Sequence, residues 1–191
     1  GERLRGDGTL MNGASWGAGR LPGSASLLFD GKQSYVQLPA GMMTDVADFT
    51  LSMWTFANAP LHWDTCLLFM GLDGGACMFL APLSGRNGGR LRFGITASGV
   101  NGTQAVEADQ ALPFRRWVHV AVTLRGGTAK IYIDGRLAGR DDSFELSPRQ
   151  LIDQKRLLGW DGGHASFDGR IEDFRFYSMA LSDAQIAALA K

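Results

Sequence analysis

Cysteine, histidine and proline are scarce in this chain of 191 residues, which contains 2, 3 and 6 of them. No apolar run approaches the roughly 18 residues of a spanning helix, so no membrane span is expected. The formal charge is zero, which argues against nucleic acid or an anionic membrane surface as the main partner. Cys66 and Cys77 lie on either side of a predicted hairpin turn. The expected register of the two strands does not place the cysteines opposite each other, as a cross-strand disulfide requires. We therefore favour two buried thiols over a bridge, and they fix no compartment.

Catalytic motifs are missing as well, since no G-x-S-x-G elbow, H-E-x-x-H or C-x-x-C occurs. Retaining glycoside hydrolysis needs two carboxylates about 5 Å apart. Glu107 and Asp109 come nearest to such a pair, whereas Glu172 and Asp173 are adjacent in a predicted strand and face opposite ways. His119 lies in mid-strand and is expected to have a structural role. The chain alone is therefore not expected to be an enzyme.

What the sequence does have is glycine, 26 residues of it, separating short segments of alternating polarity. Residues 117–124 are typical: Val118, Val120, Val122 and Leu124 form one face of a strand. About a dozen such strands are predicted, with no sustained helical period and no βαβ alternation. This pattern predicts an all-β fold of two packed antiparallel sheets, in a single domain that covers residues 1–191.

The most informative stretch is the C-terminal run 168–186. Residues 171–177 are predicted to form a strand, with Phe174 and Phe176 on its apolar face and Glu172 on the same side. A carboxylate there needs a hydrogen-bond partner or a hard cation, because an unpaired buried charge is costly. Ser182 and Gln185 have the spacing of a capping box and predict a short terminal helix.

These segments resemble the laminin-G-like, concanavalin A-type jelly-roll domains of bacterial carbohydrate-active proteins. In that family a strand of the pattern G-x-I-D-D/E-V-R-I-Y precedes A-L-S…E-I. Here Glu172 and Asp173 occupy the acidic pair, and Gln185 replaces the usual Glu. The matching segments, in chain order, are 28–36, 48–54, 117–123, 131–135 and 168–186.

The resemblance implies a jelly-roll β-sandwich with a short C-terminal helix. It also implies a secreted or cell-surface bacterial protein whose partner is a glycan, as a carbohydrate-binding module within a larger glycoside-processing protein. Related domains usually begin with a further strand, which is missing here. The alternative is therefore a structural or adhesive domain that packs on a neighbouring, catalytic domain of the same chain, with the flanking chain covering a sheet edge.

The resemblance further implies a structural calcium ion held by oxygen ligands from early and late strands. The corresponding residues are Asp30, Gly31 (through its carbonyl), Glu172 and Asp173. The alternative is that Asp30 only stabilises a turn and that Glu172 pairs with a nearby arginine.

Sugar rings stack on aromatic side chains, and their hydroxyls need polar neighbours. Two loops, residues 62–64 and 160–164, combine these residue types. Trp16 and Trp117, in contrast, are expected to pack in the core or against a sheet. The candidate ligand contacts are His62, Trp63, Arg92, Trp160, Asp161 and His164.

Overall fold

The computed structural model describes residues 7–62, 65–72, 74–84, 89–164 and 166–191. Short extended segments follow one another between glycine-rich turns, as the alternating sequence predicts. The described strands are β1 (Thr9–Met11), β2 (Ser15–Ala18), β3 (Ala25–Asp30), β4 (Tyr35–Gln37), β5 (Phe49–Ala57), β6 (Leu68–Gly71), β7 (Cys77–Ala81), β8 (Arg92–Thr96), β9 (Thr103–Glu107), β10 (Trp117–Arg125), β11 (Thr128–Ile133), β12 (Arg136–Asp141), β13 (Lys155–Leu158) and β14 (Asp168–Tyr177).

The strands form two antiparallel sheets of seven. Sheet I has the order β1-β4-β13-β6-β7-β8-β9, and sheet II has the order β12-β11-β10-β5-β14-β3-β2. Alternate residues of both sheets fill one apolar core between them, to which Phe49, Met70 and Phe93 contribute fully buried side chains. The predicted two-sheet jelly-roll sandwich is confirmed.

The hairpin between β11 and β12 turns through Asp134 and Gly135. Both residues have positive φ, 49° and 74°, as a two-residue turn between twisted strands requires. Asp134 also fixes the neighbouring strand β10, because its Oδ1 accepts a hydrogen bond of 2.9 Å from the backbone N–H of His119.

A bulge in β14 changes which side chains share a face. Asp173 has a φ of +53°, and the pairing with β5 shifts register between Glu172 and Arg175. Glu172 therefore lies opposite Trp54, on the outer face of sheet II, while Phe176 lies opposite Leu51 in the core. The expectation that Glu172 points to the apolar side with Phe176 was wrong, because strict alternation ends at the bulge.

The chain ends in the helix α1 (Asp183–Leu189), as predicted. Ser182 accepts a hydrogen bond from the Gln185 N–H, and the Gln185 side chain accepts from the backbone of Ser182, which completes the capping box. Ile186 is fully buried against Ala121 and Tyr132 on the outer face of sheet II. No helix in the described part of the chain has the length and apolar character of a membrane span.

The predictions about the burial of four single side chains have mixed outcomes. Cys77 is a buried thiol, as expected, whereas Cys66 is only partly buried. Trp16 was expected to be packed, but it is 63% exposed because β2 is the edge strand of sheet II. Trp117 packs against Phe56 on the outer face of the same sheet, with ring centroids 5.6 Å apart.

Candidate functional site

The loop that follows β13 brings three of the predicted site residues together. Trp160 is half-buried, and its ring lies 5.2 Å from that of Tyr35 in β4, at an interplanar angle of 36°. The Trp160 indole N–H donates to the carbonyl oxygen of His164, which closes the loop. We call residues 160–164 the Trp160 loop.

Asp161 holds this loop in shape. Its Oδ1 accepts hydrogen bonds from the backbone N–H groups of Gly163 and His164, at 2.8 and 2.9 Å. Its Oδ2 lies 2.6 Å from Nδ1 of His164, which carries the proton because a carboxylate only accepts. Burial by itself raises the pKa of Asp161, but the hydrogen bonds from His164 and Gly163 outweigh it and bring the pKa below its usual value. Asp161 is therefore an ionised anchor of the loop.

The Trp160 loop folds over the outer face of sheet I. Gly162 lies so close to β13 that an added Cβ would be 2.8 Å from Nζ of Lys155 and 3.4 Å from Cδ1 of Leu157. The φ of Gly162 is +90°, which other residues rarely adopt. Glycine at this position therefore allows the loop to lie flat on the sheet and present the Trp160–Tyr35 pair at its edge.

Arg92 lies on the same outer face but at a distance from the loop. It is opposite Ala81 and Glu107 in its neighbouring strands, its Nε is 3.9 Å from a Glu107 oxygen, and its guanidinium lies over the Phe79 ring at 5.6 Å. β8 is three strands from β13 in sheet I, which corresponds to roughly 14 Å at the usual strand spacing. Arg92 therefore belongs to the same face as the loop but not to its immediate surroundings.

The other predicted contact loop lies between β5 and β6. The His62 side chain is exposed, and the His62 carbonyl accepts a hydrogen bond of 3.2 Å from the Thr65 N–H. Trp63 lies outside the described residues. Ligand contact by His62, Trp63 and Arg92 stays a prediction.

The four predicted calcium ligands occupy two separate places, with Asp30 and Gly31 at the end of β3 and with Glu172 and Asp173 inside β14. Asp30 pairs with Asp168 across β3 and β14, and Leu27 pairs with Ile171, so Glu172 lies four residues further along the strand from Asp168. Asp30 Oδ1 accepts from both the Ser34 hydroxyl (2.6 Å) and the Lys32 N–H (2.9 Å). The Ser34 hydrogen bond is the main reason that the pKa of Asp30 falls to about 2, with burial opposing it.

Glu172 and Asp173 are also satisfied within the protein. Glu172 accepts a hydrogen bond from the backbone N–H of Arg20, not from the arginine side chains expected in the alternative reading. Asp173 forms a two-point ion pair with Arg175, with N–O distances of 2.6 Å. The four residues therefore do not fit one calcium ion, and the described residues contain no group of three or more His, Cys, Asp or Glu arranged for a metal.

Sequence reasoning missed the aromatic neighbour of Trp160. Tyr35 occupies an outward position in the alternating segment Tyr35-Val36-Gln37, whose middle residue is in the core. That alternation was a signal that the ring faces outwards. The proximity of Tyr35 to Trp160 follows from the pairing of β13 with β4, two strands that are far apart in the sequence.

Comparison with known proteins gives a consistent picture of the fold. The family model described as the concanavalin A-like lectin/glucanases superfamily, of laminin G type, matches residues 30–187. Mouse pappalysin-1 is 23% identical over 180 residues, which cover 87% of this chain and 11% of pappalysin-1. The chain thus spans about a tenth of the length of that relative and 3% of rat usherin.

Two solved structures share the architecture over nearly the whole chain. Domain 4 of AbnA, a GH43 extracellular arabinanase from Geobacillus stearothermophilus in complex with arabinotriose, has a TM-score of 0.77 at 22% identity, covering 97% of this chain and 89% of that one. A structure concerning botulinum neurotoxin type C and its interaction with two ganglioside molecules has a TM-score of 0.65 at 14% identity, covering 96% of this chain and 46% of that one. At these identities the likeness shows a shared fold.

Proposed function

Because the chain belongs to the concanavalin A-like lectin/glucanase superfamily, we propose that it is a non-catalytic carbohydrate-binding module of a larger, secreted glycoside-processing protein. The observation that carries this proposal is the Trp160–Tyr35 ring pair on the outer face of sheet I. A half-buried aromatic ring in a preformed loop offers a stacking surface for the apolar face of a sugar at little cost in conformational entropy.

The polar groups of the same loop have a different task from the ring. The Asp161 carboxylate and the Trp160 N–H are both engaged in hydrogen bonds that close the loop. They therefore orient the ring, and the sugar hydroxyls are left to other polar groups on the outer face of sheet I. The neighbouring candidates on that face are Lys155 and the side-chain oxygen of Gln37, whose amide nitrogen already donates to the carbonyls of Leu38 and Arg156. Arg92 lies further across the sheet.

The Trp160 ring is the first feature to test. Arabinotriose is the first probe, because the AbnA domain that resembles this chain was solved with it. Trp160→Ala removes the stacking surface and is expected to weaken binding about tenfold or more, as removal of a central aromatic anchor usually does. Isothermal titration calorimetry, preceded by a glycan array, measures the affinity.

The matched control is Trp16→Ala, which removes the strongly exposed tryptophan of the edge strand β2. It should leave glycan affinity unchanged. Wild-type protein that binds no array glycan would contradict the carbohydrate-binding proposal, and Trp160→Ala that binds like the wild type would contradict the location of the site.

A second candidate function is a domain that packs on a neighbouring domain, and exposed apolar side chains near β2 favour it. Trp16, in the edge strand β2, is 63% exposed, and Leu21, three residues after the end of this strand, is 53% exposed. A folded module without glycan affinity, whose Trp16 becomes protected when the adjacent domains of its parent protein are present, would support this role.

A further inference from the structure

β4 places two polar side chains beside the Trp160–Tyr35 ring pair. Val36 belongs to the core, so its neighbours Tyr35 and Gln37 both face outwards from sheet I. The Cα atoms of these two residues are about 7 Å apart, which is the length of two residues along a strand. The Trp160 ring, 5.2 Å from the Tyr35 ring, lies on the same side. A sugar unit stacked on the ring pair is therefore within reach of the polar atoms of both residues.

The Tyr35 hydroxyl is accessible to a ligand. It makes no hydrogen bond within the part of the chain that the structure describes, and it is not one of the buried polar atoms without a partner. A phenol hydroxyl both donates and accepts hydrogen bonds. Its partner in the free protein is water, and a sugar hydroxyl can replace that water without loss of a hydrogen bond.

The Gln37 side chain offers an acceptor only. Its amide nitrogen donates to the carbonyl oxygens of Leu38 and Arg156, both at 3.3 Å, and this fixes the orientation of the amide. The Gln37 Oε1 has no hydrogen-bond partner among the described residues, and it too is not buried. Because an amide oxygen cannot donate, the ligand has to supply an O–H or N–H at this position. A carboxylate, an ester or a methyl ether has no such donor.

The charges next to the ring pair do not favour an acidic ligand. Asp161 accepts hydrogen bonds from the backbone of Gly163 and from the backbone and ring of His164. A Cβ added at Gly162 would lie 2.8 Å from Nζ of Lys155, so this ammonium group lies against the loop. A carboxylate and an ammonium group therefore both flank the ring pair, and neither sign of charge is in excess.

We infer that β4 recognises the hydroxyl groups of a neutral, unsubstituted sugar, with Tyr35 as the specificity-determining residue and Gln37 as a second contact. This inference rests on the proposed function and deepens it, because it names the class of ligand for the same site. A bound sugar covers the Tyr35 hydroxyl, so an analogue without the facing sugar hydroxyl leaves that group buried and unpaired, which is unfavourable. Tyr35 therefore discriminates between sugars, whereas the Trp160 ring stacks on any of them.

The experiment compares arabinotriose with a set of analogues that each lack one hydroxyl, by isothermal titration calorimetry. The wild-type protein should bind at least one analogue about tenfold more weakly than arabinotriose. Tyr35→Phe, which keeps the ring pair, should bind arabinotriose about tenfold more weakly and should no longer distinguish it from that analogue. Tyr177→Phe, which removes the hydroxyl of a half-buried tyrosine in sheet II, is the matched control and should bind like the wild type.

The wild-type preference among the analogues needs no variant, so it tests the inference even if Tyr35→Phe disturbs the loop. If the array selects a different neutral glycan, that glycan and its deoxy analogues take the place of arabinotriose. Equal binding of all the analogues by the wild type, or full affinity in Tyr35→Phe, would overturn the inference, as would an array that selects only acidic or fully methylated glycans. The proposed function survives each of these results as long as Trp160→Ala weakens glycan binding, whereas a protein that binds no glycan overturns both.

Discussion

His119 shows how the sheet determines the state of one side chain. It is 1% exposed, its Nε2 lies 2.9 Å from the Ser52 hydroxyl, and its Nδ1 has no hydrogen-bond partner among the described residues. Burial lowers its pKa to about 4, and the nearby charges of Asp134 and Asp173 only partly oppose this effect. The imidazole is therefore neutral in the folded protein at neutral pH.

Because His119 is buried in its neutral form, we expect the folded protein to lose stability in mild acid. Between the ordinary pKa of 6.5 and the folded pKa of about 4, the unfolded chain takes up a proton that folded His119 does not. The free energy of unfolding should therefore fall as the pH decreases through this window, by at most about 3 kcal/mol. Urea unfolding at pH 7 and pH 4.5 measures the fall, and both values lie above the range where Asp30, with a pKa of about 2, contributes.

His119→Asn should remove most of this difference between the two pH values, whatever it does to the stability at pH 7. His62→Gln is the control, because the His62 side chain is exposed. A pH dependence that survives in His119→Asn would show that burial of this imidazole is not its source.

At the scale of elements, the β11–β12 hairpin and the terminal helix support each other. Gly135 in the hairpin turn has a φ of +74°, and an added Cβ would lie 3.1 Å from the Cα of Ala187 and 3.0 Å from the Cβ of Ala190. Gly126, in the turn between β10 and β11, has a φ of +51° and open space around it. The two glycines therefore share the backbone requirement and differ in contact with α1.

Gly135→Ala should cost more stability than Gly126→Ala. The positive φ lowers the free energy of unfolding of each variant by about 1 kcal/mol, and the new Cβ in Gly135→Ala must also displace α1. Urea unfolding measures both costs, and hydrogen exchange of the α1 amides should rise in Gly135→Ala alone. Equal costs with unchanged exchange in α1 would show that the hairpin does not position the helix.

Elements were easier to predict from the sequence than their contacts. Alternation along residues 117–124 and the Ser182–Gln185 capping box each have a local cause, and both β10 and α1 were predicted. The bulge at Asp173 has no such signal, because a positive φ at aspartate depends on the pairing of β14 with β5. Likewise the residue types of the Trp160 loop were visible, whereas the approach of Tyr35 depends on sheet order.

At the scale of the whole molecule, the sandwich keeps the outer faces of its two sheets apart. Both sheets pack on one shared core. The side chains on the outer face of one sheet can therefore differ without affecting those on the outer face of the other. The Trp160 loop lies on the outer face of sheet I, whereas α1 packs on the outer face of sheet II. We therefore expect a substitution in the Trp160 loop to leave the packing of α1 on sheet II unchanged.

The same architecture bears on the calcium ion that the family resemblance implies. A structural ion would stabilise the whole sandwich. However, Asp30 and Glu172 already accept hydrogen bonds from the protein, and Asp173 forms an ion pair with Arg175. Asp30 also lies apart from the other two carboxylates. We therefore expect the same midpoint of thermal unfolding in EDTA and in millimolar calcium, and calorimetric scans in both buffers measure it. A saturating ligand that binds only the folded state, at a hundred times its Kd, adds about 2.7 kcal/mol, so a bound ion would be readily visible. A midpoint that falls in EDTA, recovers with calcium and no longer responds in Asp30→Asn would instead establish an ion at the β3–β14 junction.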